Sequence, residues 1–416
     1  MKPDYKVPSM KEIAKVKGTN GYKVVSTFSG CGGSCLGFEM AGFDVVFASE
    51  FVEEARKVYA LNHPNVPIDK KDIRKLTPND ILKATGLEVG ELDVLEGSPP
   101  CASFSTAGKR EEGWGEIKKY SDTHQRTDDL FFEYARILKG LQPKLFVAEN
   151  VAGLIKGSAK GYFKQIIREL KSCGYRVEAK VLDAKWLGVP QTRNRLIFVG
   201  VREDLEAPIL WPQPFPYKYS IRDACPWITN DHAIGKADFG KNEGNEIKKH
   251  KIDYPAEAVT TRDIGGKAHL LLLNDLPVGG EDWFNHLKSL GHPDCDEIEY
   301  EIVSIEEYAI GKEWLKIKKG QSSQKYFNLL RTDAEKPSGA ITATAGTVGA
   351  AGVVHPSECR KFTIPELRRI CAFPDDFILT GGYQKRWERL GRSVPPLMMK
   401  SIATQFEEML KGINDG

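Results

Sequence analysis

Short apolar runs alternate with helix-periodic segments through the first half of the chain. Tyr22 to Phe28 is a compact apolar run closed by Ser29-Gly30-Cys31-Gly32-Gly33-Ser34, which reads as a buried strand, a glycine loop and a helix continuing through Met40. Asp44-Val45-Val46-Phe47-Ala48-Ser49 follows as a second strand ending in Glu50, completing a βαβ unit. Asp93-Val94-Leu95-Glu96 and Leu145-Phe146-Val147-Ala148 repeat the strand pattern. Between them Leu130, Phe131, Tyr134, Ile137 and Leu138 keep helical spacing behind a candidate cap at Thr127. Phe163, Ile166, Ile167 and Leu170 mark a further helix stopped by Gly174, and Arg195 to Val199 supplies a later strand. Strands regularly interrupted by helices predict an α/β fold with a doubly wound, mostly parallel sheet.

The pattern changes at Trp211-Pro212-Gln213-Pro214-Phe215-Pro216, where prolines cluster and helical periodicity weakens. Residues 211–384 are expected to form a smaller, irregular, β-rich domain, and 1–210 with 385–416 the larger one. Asp253 to Thr260 echoes Glu335 to Thr342, as two turn-into-strand elements or as coincidence. Helical order returns after Val394-Pro395-Pro396. There Leu397, Met398, Ile402, Phe406 and Leu410 line one side of a last helix expected to dock on the first domain.

Composition narrows the class. With 416 residues, 41% of them hydrophobic, the chain can bury a sizeable core. Eight irregularly spaced cysteines argue against a disulfide framework and for a reducing, cytoplasmic setting. No zinc-type Cys/His spacing is completed, so no metal is expected. Neither a signal peptide nor a membrane span is legible. The net charge of +2 means that a polyanionic partner must be met by local patches such as Lys109-Arg110.

Candidate chemistry gathers where strands end, because open α/β sheets bind ligands beyond the carboxyl ends of their strands. Pro99-Pro100 fix the backbone that presents Cys101, and the strand Leu145–Ala148 delivers Glu149. A thiol and a carboxyl group would thus face one crevice. The glycine loop departs from the dinucleotide spacing, since the third glycine would fall on Cys35. It suits a smaller adenosine-containing cofactor, with Glu50 on the ribose hydroxyls and Asp72-Ile73 near the adenine.

Phe28-Ser29-Gly30-Cys31-Gly32-Gly33, Pro99-Pro100-Cys101, Glu149-Asn150-Val151, Gln191-Thr192-Arg193-Asn194-Arg195, Arg369 to Phe377 and Gly391-Arg392-Ser393-Val394-Pro395 stand in order. In this order the chain resembles the DNA cytosine carbon-5 methyltransferases, of the bacterial and phage restriction-modification type, almost end to end. The resemblance implies a class I methyltransferase fold, S-adenosyl-L-methionine as cofactor, a flipped cytosine in double-stranded DNA and a target-recognition region within 211–355. It implies catalytic roles for Cys101, Glu149, Arg193 and Arg195, with Gln191 structural. Cofactor contacts are implied for Phe28, Ser29, Gly30, Cys31, Gly32, Gly33, Glu50, Phe51, Asp72, Ile73, Pro100, Leu130, Ser393 and Val394.

By the same resemblance Ala102 to Arg126 would be a lid closing on DNA, with Ser105, Lys109 and Arg110 as contacts. Arg331 is a candidate contact in the recognition region. The implied protein is a cytoplasmic monomer, with a cognate restriction endonuclease as a possible partner. A tRNA cytosine methyltransferase is the nearest rival reading; a silent DNA-binding homologue would be expected to lose the thiol or the carboxyl group. The chain departs from the family pattern at Ala102, where Gln is usual, at Arg392, where Asn is usual, and at Phe51, beside Glu50.

Overall fold

The computed structural model describes residues 2–100, 118–120, 123–125, 129–226, 228 and 302–415. The chain divides into two compact units. One comprises Met10–Gly188, Arg193–Pro216 and Arg392–Gly416; the other comprises Met1–Ser9, Val189–Thr192 and Tyr217–Gly391. These bounds differ from the sequence-based ones at the amino terminus, at Val189–Thr192 and over 385–391, where the chain packs with the second unit, and over 211–216, which pack with the first.

The first unit is built on seven strands: β1 Lys23–Thr27, β2 Asp44–Ser49, β3 Ile68–Asp69, β4 Val94–Gly97, β5 Leu145–Val151, β6 Tyr175–Asp183 and β7 Asn194–Arg202. Their order is β3-β2-β1-β4-β5-β7-β6. The pairs β1/β2, β2/β3, β1/β4 and β4/β5 are parallel, whereas β7 runs antiparallel to both β5 and β6. The sheet is therefore mostly parallel with one reversed strand, as the alternation of elements predicted. The sequence reading missed β6, whose Val177, Ala179 and Val181 alternate with Arg176, Glu178 and Lys180 in the pattern of a half-exposed edge strand. A separate antiparallel pair joins Lys118–Tyr120 to Thr123–Gln125.

The central strands are apolar along nearly their whole length because helices cover them. Val25, Leu95, Phe146 and Phe198 pack with Leu130, Phe131, Tyr134 and Leu138 of the Leu130–Leu141 helix and with Ile166 and Leu170 of the Lys160–Ser172 helix. Thr127 lies outside the described residues. Asp129 holds the cap position of the Leu130–Leu141 helix without a capping bond, and Arg74 takes its carboxylate at 2.6 and 3.0 Å.

The Gly33–Met40 helix is buried throughout and packs on the final helix, Pro396–Asp415. Their approach is close: a Cβ at Gly37 would stand 2.5 Å from Met399 Cβ and 2.8 Å from the Pro396 carbonyl oxygen. The last helix thereby steadies the helix that follows the glycine loop. Among the described residues no helix is long and apolar enough to cross a membrane.

In the second unit the described strands are only two residues long. Gln321–Ser322, Leu330–Arg331 and Val353–Val354 form a small mixed sheet over Ile305, Ile310, Trp314, Ile317 and Leu329. A buried ion pair braces it, with Arg360 donating from Nη1 and Nη2 to both carboxylate oxygens of Glu366 at 2.8 and 2.9 Å. The element Asp253 to Thr260, half of the sequence echo, lies outside the described residues.

Candidate active site

The carboxyl ends of β1, β2, β4 and β5 converge in the first unit. Beyond β1 the backbone turns through left-handed conformations at Phe28 (φ 53°), Gly30 (φ 58°) and Gly32 (φ 97°). Phe28 adopts an angle that L side chains rarely take, a strain of the kind found where loops approach ligands. The loop is tied to β2 by the Ser29 amide, which donates to the Ser49 carbonyl at 3.1 Å. Among the described residues no heavy atom lies within 4 Å of where a Cβ of Gly30 would stand, whereas a Cβ at Gly32 would run into His63 Nε2.

Glu50 closes the loop from the end of β2. Its carboxylate accepts from the Gly30 amide at 2.8 Å and from the Val52 amide at 2.6 Å. Next to it the Phe51 ring is 39% exposed, unusual for Phe and suited to stacking on a flat heterocycle. Asp72 receives the Arg74 guanidinium at 3.1 Å and caps its own turn through the Arg74 amide, while Ile73 and Leu130 are buried in the core. Cys31 Sγ lies 2.9 Å from Ser393 Oγ, which brings the Ser393-Val394 segment to the loop.

The second half of the site is formed by β5 and β7. In the antiparallel register Val151 faces Arg195 and Glu149 faces Ile197, so Glu149 and Arg195 are diagonal neighbours on one face. Their side chains meet: Arg195 Nε lies 2.5 Å from Glu149 Oε1, and both side chains are mostly buried at 17% and 12% exposure. Arg195 also donates from Nη1 to the Asn194 carbonyl at 2.9 Å. The guanidinium is thus fixed against the carboxylate.

Arg193 behaves differently. It is 2% exposed and donates from Nη2 to the Ser393 carbonyl at 2.8 Å, while its own amide donates to Asp183 Oδ1 at 3.0 Å. It ties the start of β7 to the Ser393-Val394 segment. Gln191, in the second unit, accepts from the Ile341 amide at 3.1 Å and donates to Cys371 Sγ at 3.4 Å, a structural bridge. Arg331 is stacked 3.7 Å from the Trp314 ring centre and donates to the carbonyls of Pro356, Trp314 and Ile317. These internal partners hold its guanidinium in place within the second unit.

Cys101, Ser105, Lys109 and Arg110 lie outside the described residues, as does the stretch 102–117 of the expected lid. The turn leading to Cys101 is described as far as Pro100. Sequence reasoning missed two residues around it. Asn150, buried, donates from Nδ2 to the Pro99 carbonyl at 3.2 Å, tying the end of β5 to the proline turn. Glu96 is 1% exposed at the end of β4 and accepts from Ser26 Oγ at 2.5 Å. An acid closing an apolar strand was the signal that marked it.

Residues 22–408 match the C-5 cytosine-specific DNA methylase family. The chain belongs to that family. It is a DNA (cytosine-5-)-methyltransferase, and family and fold together imply methylation dependent on S-adenosylmethionine. Among similar proteins, the type II methyltransferase M.DdeI of Desulfomicrobium norvegicum is 29% identical, over 94% of this chain and 90% of its own length. M.NgoFVII of Neisseria gonorrhoeae is 30% identical, over 96% of this chain and 91% of its own. The fold is shared with a DNA modification methyltransferase encoded within an E. coli prophage, at a TM-score of 0.64 and 22% identity, covering 94% of this chain and 99% of that one. It is also shared with DNMT2 of Spodoptera frugiperda, at a TM-score of 0.58 and 16% identity, covering 92% and 99%.

Proposed function

We propose that this methyltransferase acts on one cytosine flipped out of a specific duplex DNA sequence, through a covalent adduct at Cys101, as the modification enzyme of a restriction-modification pair. The observation that carries this reading is the Arg195–Glu149 contact at the end of β5, beside the Asn150 bond to the turn that runs into Cys101. A carboxyl group oriented by a guanidinium next to a thiol turn suits addition to an electron-poor ring. The type II names of the relatives favour the restriction-modification setting.

In this scheme the Cys101 thiolate forms a bond to carbon 6 of cytosine. The ring π electrons shift toward nitrogen 3, which takes a proton from Glu149, and carbon 5 becomes an enamine carbon. A free thiol with a pKa of about 8.5 is mostly protonated at neutral pH, so the site must favour the thiolate. Once carbon 5 carries the methyl group, nitrogen 3 returns its proton to Glu149 and a base removes the carbon-5 proton. That C–H pair rebuilds the 5,6 double bond, and the sulfur leaves carbon 6 with its own bonding pair as thiolate. Arg195 would keep Glu149 aimed and hydrogen-bond the cytosine carbonyl.

The glycine loop fits S-adenosylmethionine because no atom of the described residues crowds Gly30, Glu50 stands at the end of β2 against the loop and the Phe51 ring is exposed. Bound there, the cofactor supplies a methyl group on a sulfonium, an electrophile that departs from a neutral thioether. Glu50 would take the ribose hydroxyls, Phe51 the adenine face, and the loop amides the remaining polar edge.

Incubation with labelled S-adenosylmethionine and mixed-sequence duplex DNA, followed by bisulfite sequencing, tests the reading. Methylation at one short recurring sequence is expected. Cys101→Ala should abolish it while holding cofactor affinity within about tenfold, or about 1.4 kcal/mol. Glu149→Gln should cut turnover severely, because an amide cannot cycle a proton. Methylation of tRNA in place of duplex DNA, or full activity in Cys101→Ala, would overturn the scheme.

A further inference from the structure

A chain of buried polar groups runs from the glycine loop to the proline turn. Ser29 Oγ lies 2.8 Å from Ser26 Oγ, Ser26 Oγ lies 2.5 Å from Glu96 Oε2, and Ser98 Oγ lies 3.4 Å from Glu96 Oε1. Ser26 and Ser29 belong to the end of β1 and its loop; Glu96 and Ser98 belong to β4 and the turn two residues before Pro100. Ser26 and Glu96 are opposite one another in the parallel register of β1 and β4. The catalytic scheme uses none of these four side chains.

We propose that Glu96 is a positioning residue that couples the cofactor loop to the thiol turn, its protonation state setting the direction in which the hydroxyls between them donate. This rests on the assignment of the glycine loop to S-adenosylmethionine. With Glu96 ionised, Ser26 donates to Glu96 and Ser29 donates to Ser26. With Glu96 protonated, its own O–H donates to Ser26, Ser26 turns its hydrogen to Ser29, and Ser29 donates instead to the carbonyl of Ser26, 3.2 Å away, or of Ser49, 3.3 Å away. The second arrangement adds a bond from the loop to the backbone of β1 or β2. One proton on β4 therefore changes how the cofactor loop is held.

The surroundings make that proton available near neutrality. Burial pushes the Glu96 carboxyl up to about 7, against the opposing hydrogen bonds of Ser26, Ser34 and Ser98, and the Glu149 carboxylate on β5 adds to the rise. The other titratable groups near it are Cys35 on the Gly33–Met40 helix, Tyr59 on the Glu53–Asn62 helix and Tyr134 on the Leu130–Leu141 helix. Burial pushes all three well up, so they stay neutral through this range.

The test is calorimetric titration of the full-length protein with S-adenosylmethionine, without DNA, from pH 5.5 to 8.5, in wild type, Glu96→Gln and Ser26→Ala. Wild-type affinity should change about threefold or more across an inflection near pH 7. Glu96→Gln, which keeps the volume and the bonds but cannot ionise, should bind with that inflection gone. Ser26→Ala should flatten the profile as well, because the relay is cut while the carboxyl group remains. A Glu96→Gln profile that superimposes on that of wild type would overturn the coupling and leave the cofactor assignment standing. Absence of binding in wild type at every pH would overturn the loop assignment and the coupling with it.

Discussion

Asn150 donates its side-chain amide to the Pro99 carbonyl oxygen at 3.2 Å, and its own Oδ1 accepts from the Val151 amide at 2.8 Å. Pro99 lies just beyond the end of β4, and Val151 is the last residue of β5. One buried side chain thus joins the strand that carries Glu149 to the turn that runs into Cys101.

Asn150→Ala should therefore separate folding from chemistry only partly. The Pro99 carbonyl would lose its buried partner, at a cost of about 1–3 kcal/mol in denaturant unfolding. Methyl transfer should fall at least about tenfold, because small misplacements of reacting groups are expensive. Equal kcat/KM in variant and wild type would show that the turn is held by other means.

Gly97 allows no side chain. A Cβ there would stand 2.5 Å from Tyr134 Cε2 and 2.6 Å from Thr27 Oγ1. Tyr134 cannot yield, since it is fully buried with its hydroxyl lying 3.2 and 3.0 Å from the Leu95 and Val147 carbonyls. Gly97→Ala should destabilise the protein by about 1–3 kcal/mol, the range for overpacked cores. Thermal unfolding measures it, and a melting temperature unchanged from wild type would show that β4 can shift.

Glu96 should leave a mark on stability as a function of pH. Its folded-state pKa, about 7, lies above the ordinary value of 4.5 in the unfolded chain, so between these values the folded state binds more protons. Stability from this group is full below pH 4.5, declines as pH rises through the window and levels off above 7. The interval corresponds to about 3 kcal/mol. Glu96→Gln should therefore gain on wild type by that order between pH 5 and pH 8 in chemical denaturation. A difference independent of pH would place the carboxyl in a wetter setting than the structure gives it.

Much of this protein was written locally. The glycine loop, the proline turn before Cys101, the Glu149 strand end and the final helix each depend on residues close in sequence, through hydrophobic period, fixed proline angles and glycine's access to left-handed backbone. Their order along the chain already implied the family. The edge strand Tyr175–Asp183 escaped because its alternation covers only half-buried positions, a weak signal beside the apolar runs of the central strands. The resemblance already implied that Arg195 holds Glu149, but the partner of Arg193 was not legible in the sequence. The packed structure brings Arg195 to Glu149 and sends Arg193 to the Ser393 carbonyl, a bond that spans distant segments. In the second unit the stacking of Arg331 on Trp314 and its bonds to carbonyls were likewise not legible in the sequence. Local sequence determined which elements form and which chemistry they carry, because dihedral preference and hydrophobic period act over a few residues. Tertiary structure decided which polar groups meet, because the partners of Glu149, Asn150 and Glu96 are brought close only when strands distant in sequence pair side by side.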